Sequence, residues 1–155
     1  MISSPPKGAR GFPSKRKKVS RAADTVGEET VALSNSERVT LRLLADTIVP
    51  RTGDPSEPLG ASASDLGVDA LVERAIVEYL PLDVQRQFRQ LLRAIESPAL
   101  NFLLTGRPLR FGGLTPERRE AYVLGWARSR LGIKRRGFHG IKRLVAFLYY
   151  SALTE

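Results

Sequence analysis

From Leu33 onward, apolar stripes at helical spacing alternate with breaker residues. Thr40, Leu41, Leu44, Ala45 and Ile48 fall on one face of a helix, while Arg38, Arg42 and Asp46 take the other. Ahead of that stripe, Ser34-Asn35-Ser36-Glu37 forms a capping box. The serine side chain accepts from the Glu37 amide, and the Glu37 carboxylate reaches back to the serine N–H. Pro50 stops the helix. Val68, Leu71, Val72, Ala75, Ile76 and Tyr79 predict a second helix over 65–80. Pro81 either breaks it or enters the first turn of a third, lined by Val84, Phe88, Leu91, Leu92 and Ile95.

Ser97-Pro98 is a cap followed by proline at the first helical position, and it opens a short fourth helix through Leu104. Thr115-Pro116-Glu117 starts a fifth in the same way, with an acid in the positive first turn and with Tyr122 and Trp126 on one face. Gly132 separates it from a last helix over 133–153. No segment carries a strand pattern, and nothing repeats at a period of about 20–50 residues. The expected fold is all-α, a small bundle of about five to six helices.

Two stretches break the helical pattern. The loop 50–64 holds three prolines and two glycines, and its length suits a segment that wraps the surface or meets a partner. Residues 106–113, Gly-Arg-Pro-Leu-Arg-Phe-Gly-Gly, offer Arg107 and Arg110 as anion ligands, but with no strand ahead of them they read as a structural turn. Residues 1–30 are rich in Pro, Gly, Ser and Lys and poor in apolar residues, which predicts a disordered basic tail ahead of a helical domain over 31–155. Lys15, Arg16, Lys17 and Lys18 in that tail read as a solvated, solubilising run, with an anchor for nucleic acid or anionic lipid as the alternative.

The net charge of +9 is unevenly placed. Residues 25–120 hold eleven arginines against fourteen acids, whereas 121–154 hold seven Lys/Arg and no acid. A slightly acidic body with a basic tail and a basic last segment suits docking on a negative surface better than wrapping nucleic acid. The chain has no cysteine and one histidine, so thiolate metal sites, disulfides and imidazole clusters are excluded. Catalytic, cofactor-binding and metal-ligating residues are therefore expected to be none. The carboxylate pairs Asp65/Asp69 and Glu117/Glu120 fit solvent-facing or first-turn positions without catalysis. His139 lies among Arg135, Arg136, Lys142 and Arg143 and reads as solvated or partner-facing. No stretch reaches the ~20 apolar residues of a membrane span, and the basic N-terminus lacks the apolar core of a secretory signal. The expected location is cytoplasmic, with a position peripheral to a membrane as the alternative.

The last helix is the most informative segment. Phe138, Ile141, Val145, Leu148 and Ala152 form one stripe opposite the basic residues, but Leu144-Val145-Ala146-Phe147-Leu148-Tyr149-Tyr150 is apolar on every side. Such a helix must be buried all round, and a small bundle covers one or two faces. Either the long loops cover the remainder or another surface does. Arg135, Arg136, Lys142, Arg143, Phe147, Tyr149 and Tyr150 are the candidate docking residues.

The order of motifs resembles a known family. Leu33-Ser34 with Leu43-Leu44-Ala45-Asp46-Thr47-Ile48-Val49-Pro50, and then Ala63-Ser64-Asp65-Leu66-Gly67-Val68, are similar to the start of the gluconate 2-dehydrogenase subunit 3 family. Leu114-Thr115-Pro116-Glu117-Arg118-Arg119, Trp126 through Arg130, and Ile141 through Ser151 more closely resemble the version of this unit fused to the front of flavin-dependent glucose–methanol–choline (GMC) oxidoreductases, long-chain alcohol oxidase-like proteins among them. The resemblance covers about 33–153, and its motifs are structural. It implies a non-catalytic accessory subunit that packs on a GMC-type alcohol or sugar dehydrogenase or oxidase and supports its folding, assembly or substrate access. FAD would belong to that partner, and this chain would bind no cofactor. Family members often carry a twin-arginine export signal, which this N-terminus lacks, and the chain ends where a fused flavin domain would begin. The alternatives are a basic helical nucleic-acid-binding protein, disfavoured by the acidic body, and a protein of the anionic membrane surface.

Overall fold

A computed structural model describes Met1 and residues 32–154, without 55, 56, 58, 59, 107 and the side chains of 103–105. The expected tail, 1–30, and the candidate anion ligand Arg107 lie outside the described residues. Six α-helices follow one another, and no strand occurs among the described residues: α1 (Asn35–Ile48), α2 (Val68–Tyr79), α3 (Leu82–Glu96), α4 (Pro98–Thr105), α5 (Pro116–Ala127) and α6 (Gly132–Ala152). A 3-10 turn at Phe111–Gly113 lies between α4 and α5.

α1 is the element around which the others are arranged, touching α2, α3, α5 and α6. Its Leu41, Leu44 and Ala45 are buried at the centre of the core. The capping box forms as the sequence predicts, with Ser34 N–H donating to Glu37 Oε2 at 2.8 Å and Glu37 N–H to Ser34 Oγ at 3.3 Å. Glu37 also does what local sequence does not reveal. Its buried carboxylate accepts from Arg93 Nε at 2.7 Å and Arg89 Nε at 3.1 Å, so the first turn of α1 is tied to α3. At the other end of α1, Asp46 accepts from both the N–H and the hydroxyl of Ser64, each at 2.8 Å. Asp46 was expected on the solvent side, and this pair of bonds draws it inward to a half-buried position.

α2 begins at Val68 rather than 65, because 63–67 is a hydrogen-bonded turn ending on Gly67 at φ +66. Asp65 closes that turn by accepting from Ser62 N–H and Oγ, both at 2.8 Å. Tyr79 continues the inward stripe on paper but is exposed. It is the last residue of α2, and the chain turns extended at Leu80, so the buried stripe ends at Ile76.

The loop after α1 does not simply skirt the surface. Gly60, Ala61, Ser62 and Ala63 are buried. Ala63 N–H donates to Val49 O at 3.1 Å and Thr52 N–H to Gly60 O at 3.2 Å. A side chain at position 60 would place its Cβ 2.8 Å from the Asp54 carbonyl oxygen, so glycine is needed there. The strap is pinned from far along the chain: Tyr149, on α6, donates its hydroxyl to Ala61 O at 2.9 Å.

The described part of 106–113 ends in the 3-10 turn, and it contributes a core residue the periodicity could not indicate. Phe111 is fully buried, 5.5 Å from the Tyr122 ring, which lies 6.1 Å from Trp126. Buried Asn101 ties this corner together. Its Nδ2 donates to Ile95 O at 3.1 Å and Leu109 O at 2.7 Å, while its Oδ1 accepts from the Tyr122 hydroxyl at 2.6 Å. Burial pushes the Tyr122 hydroxyl pKa above its ordinary range.

Two outcomes follow for stability. Burial opposes the charged form of Glu37. The Ser34 amide, Arg93, the Ser34 hydroxyl and the charge of Arg89 together outweigh it and hold the carboxyl below its usual range. The unfolded chain therefore takes up the proton more readily. The Glu37 contribution is complete above about pH 4.3 and disappears as pH falls through the lower folded value. Glu37→Ala should cost about 2–3 kcal/mol at neutral pH, read by denaturant titration, and should flatten the acid limb of the stability curve. Tyr149→Phe strips one hydroxyl from the Ala61 carbonyl and should cost about 1 kcal/mol, with the helical circular dichroism unchanged.

Candidate partner-docking surface

α6 buries Ile141, Val145 and Tyr149, with Phe138, Leu144 and Leu148 half-buried around them. This face lies against α2 and α5, and it also touches α1. Gly137 sits where a Cβ would come 3.2 Å from Leu91 of α3, so the missing side chain lets the two helices close up.

The opposite face is bare. Arg136, His139, Arg143, Phe147 and Tyr150 follow one another at steps of three and four residues and are all exposed. At 1.5 Å per residue this line runs about 21 Å along the helix. Arg135 and Lys142 are exposed beside it. Phe147 is 68% exposed and Tyr150 64%. Position 140 carries no side chain, and the space beside it is open.

Six of the seven residues expected to dock thus lie at the surface: Arg135, Arg136, Lys142, Arg143, Phe147 and Tyr150. Tyr149 does not. It is 5% exposed, because it stands one turn beyond Val145 on the inward stripe and its hydroxyl is occupied by the Ala61 carbonyl. Two exposed apolar residues escaped the periodicity, Leu131 at 52% and Ile133 at 77%, both at the corner between α5 and α6. Neither continues a stripe, so a helical wheel gives no reason to single them out.

The electrostatics of α6 differ from those of the body. In the body Arg38, Arg51, Arg74, Arg89 and Arg93 each pair with a carboxylate, while among the described residues Arg42, Arg86, Arg110, Arg118 and Arg119 do not; 121–154 differs in holding no acid at all. Among the described residues no ion pair involves Arg128, Arg130, Lys134, Arg135, Arg136, Lys142 or Arg143. The first turn of α6 contains no acid, and its N-cap, Leu131, supplies no side-chain bond. Cations near a helix N-terminus oppose the helix dipole, so this end of α6 is electrostatically unfavourable in the free chain. Lys134 gains some compensation, with its Nζ 5.1 Å from the centre of the Trp126 ring, and burial lowers its pKa.

The interior offers little room for chemistry. An apolar gap of about 10 Å³ lies between Leu44, Ile95, Tyr122, Trp126 and Ile141, space for about one water. A surface dent beside Leu41 is lined by Asp69 and by Arg38 and Glu73, which pair with each other at 2.8 Å. Among the described residues no three His, Cys, Asp or Glu side chains come together to hold a metal ion. Nor is any described helix long and apolar enough to cross a membrane. His139 is exposed and touches only the edge of its neighbour, with ring centres 5.4 Å apart from Phe138.

No curated protein and no solved structure matches the chain. The family model of gluconate 2-dehydrogenase subunit 3 does, over residues 35–152. Those bounds coincide with the first residue of α1 and the last of α6, so the match takes in the whole bundle. The chain belongs to the gluconate 2-dehydrogenase subunit 3 family.

Proposed function

We propose that this chain is a non-catalytic accessory subunit of a dehydrogenase complex, and that the bare face of α6 docks on the catalytic subunit. That subunit is a GMC-type flavoprotein holding FAD and oxidising an alcohol or sugar. The helical subunit supports its folding, assembly or access to substrate. The observation that carries the reading is the pairing of Phe147 and Tyr150, both well over half exposed, with cations that have no carboxylate partner among the described residues. Exposed aromatics beside arginines are the composition of protein interfaces, where a few such residues supply most of the affinity. Family membership supplies the setting, since the family is named for a subunit of a dehydrogenase. The charge of α6 calls for an acidic surface around an apolar hollow on the partner.

The test is co-expression with a GMC-type, FAD-containing flavoprotein, followed by affinity capture and measurement of flavin absorbance in the captured complex. Phe147→Ala with Tyr150→Ala should lower affinity about thirtyfold, equivalent to about 2 kcal/mol. Because both side chains point away from the core, the melting temperature of the free chain should stay within a few degrees. Full binding by the double variant would contradict the reading, as would oxidation of an alcohol by this chain with no flavoprotein present.

A further inference from the structure

The corner between α5 and α6 forms a second surface, which meets the α6 face at Arg135 and Arg136. Leu131 and Ile133 protrude there, and Arg128, Arg130, Arg135 and Arg136 are exposed within the same nine residues. None of these four arginines takes part in an ion pair among the described residues, and no acid occurs from 121 to 154. The backbone beneath is held in place. Ser129 N–H donates to Trp126 O at 3.2 Å, Leu131 N–H to Ser129 Oγ at 3.2 Å, and Lys134 N–H to Leu131 O at 3.1 Å. Lys134 then lies over Trp126. The two aliphatic side chains are presented on a braced turn.

A protein partner would need a hollow shaped for each protruding side chain. A lipid interface needs none, because headgroups move aside while their phosphates receive the flanking guanidiniums. The corner exposes no tyrosine or tryptophan, the residues enriched in protein interfaces. We propose that residues 128–136 seat the protein on an anionic phospholipid surface, with Leu131 and Ile133 entering the boundary between headgroups and acyl chains. The attachment is peripheral and reversible, since two aliphatic side chains and four cations give modest affinity. Ile133 and Phe147 are fourteen residues apart on one helix, about 21 Å. Lipid at Leu131 and Ile133 therefore leaves Phe147 and Tyr150 to the catalytic subunit, with Arg135 and Arg136 at the boundary between the two.

The full chain would be sedimented with vesicles of phosphatidylcholine alone and of phosphatidylcholine mixed with phosphatidylserine. Binding should need the anionic lipid and weaken as salt rises. Leu131→Asp with Ile133→Asp should cut partitioning at least tenfold while leaving helical circular dichroism intact. Arg128→Gln with Arg130→Gln should cut it roughly twenty-five-fold, at about fivefold per cation. Phe147→Ala with Tyr150→Ala should leave it unchanged, which separates this surface from the docking face whether or not a flavoprotein binds there. Serine at positions 15 to 18 measures the contribution of the basic tail. The proposal is overturned if anionic vesicles do not bind the chain, or if binding is lost on changing the tail or Phe147 and Tyr150 but not the corner. It is equally overturned if the aspartate variant keeps its vesicles and loses the flavoprotein.

Discussion

Glu37 accepts from its own N-cap and from two arginines of α3, and this arrangement fixes the start of α1, the helix on which α2, α3, α5 and α6 all pack, against α3. A buried carboxylate is costly unless each oxygen finds a donor, so the start of α1 has one position in which Arg89 and Arg93 both reach it. The far end of α1 is fixed in the same way by Asp46 and Ser64. Held at both ends, α1 presents Leu41, Leu44 and Ala45 to the surrounding helices. α6 is the last layer added. Tyr149 reaches through it to the strap at Ala61, which sets the rotation of α6 and with it the residues that face outward.

Most polar groups of the described interior are committed to structure, the Gln85 Oε1 being a buried exception with no hydrogen-bond partner. Asn101 and Tyr122 satisfy each other and the carbonyls around them, and the Gln85 amide donates to Leu80 O at 2.9 Å at the corner between α2 and α3. On α6 and its leading corner, cations without carboxylate partners among the described residues stand beside exposed Phe147, Tyr150, Leu131 and Ile133. In the proposed complex this chain contributes contact surface, and the redox chemistry belongs to its partner.

The helices were legible because their ends are written locally. Ser34 to Glu37, Ser97-Pro98 and Thr115-Pro116 mark three starts within a residue or so, and the stripes between them give the core. What escaped depends on residues far apart in the chain. The arginines that meet Glu37 lie 52 and 56 residues away, and the carbonyl that meets Tyr149 lies 88 residues away. A three-residue turn has no period, so Phe111 gave no sign of being buried. On the candidate site, the wheel centred on Ile141 and Val145 correctly turned Phe147 and Tyr150 outward. Tyr149 was grouped with them because 144–150 is apolar on every side, which by itself prefers no face. The spacing of four residues from Val145 was the better guide.

The central claim is that the outer face of α6 meets the catalytic subunit. Photo-crosslinking tests it directly, with benzoylphenylalanine placed in turn at positions 147, 150 and 39. Val39 is exposed on α1, away from the proposed contact, and serves as the reference. The account predicts cross-links to the flavoprotein from 147 and 150 and none above background from 39. Cross-links from 39 alone, or none from 147 and 150 in a complex that is otherwise intact, would contradict it.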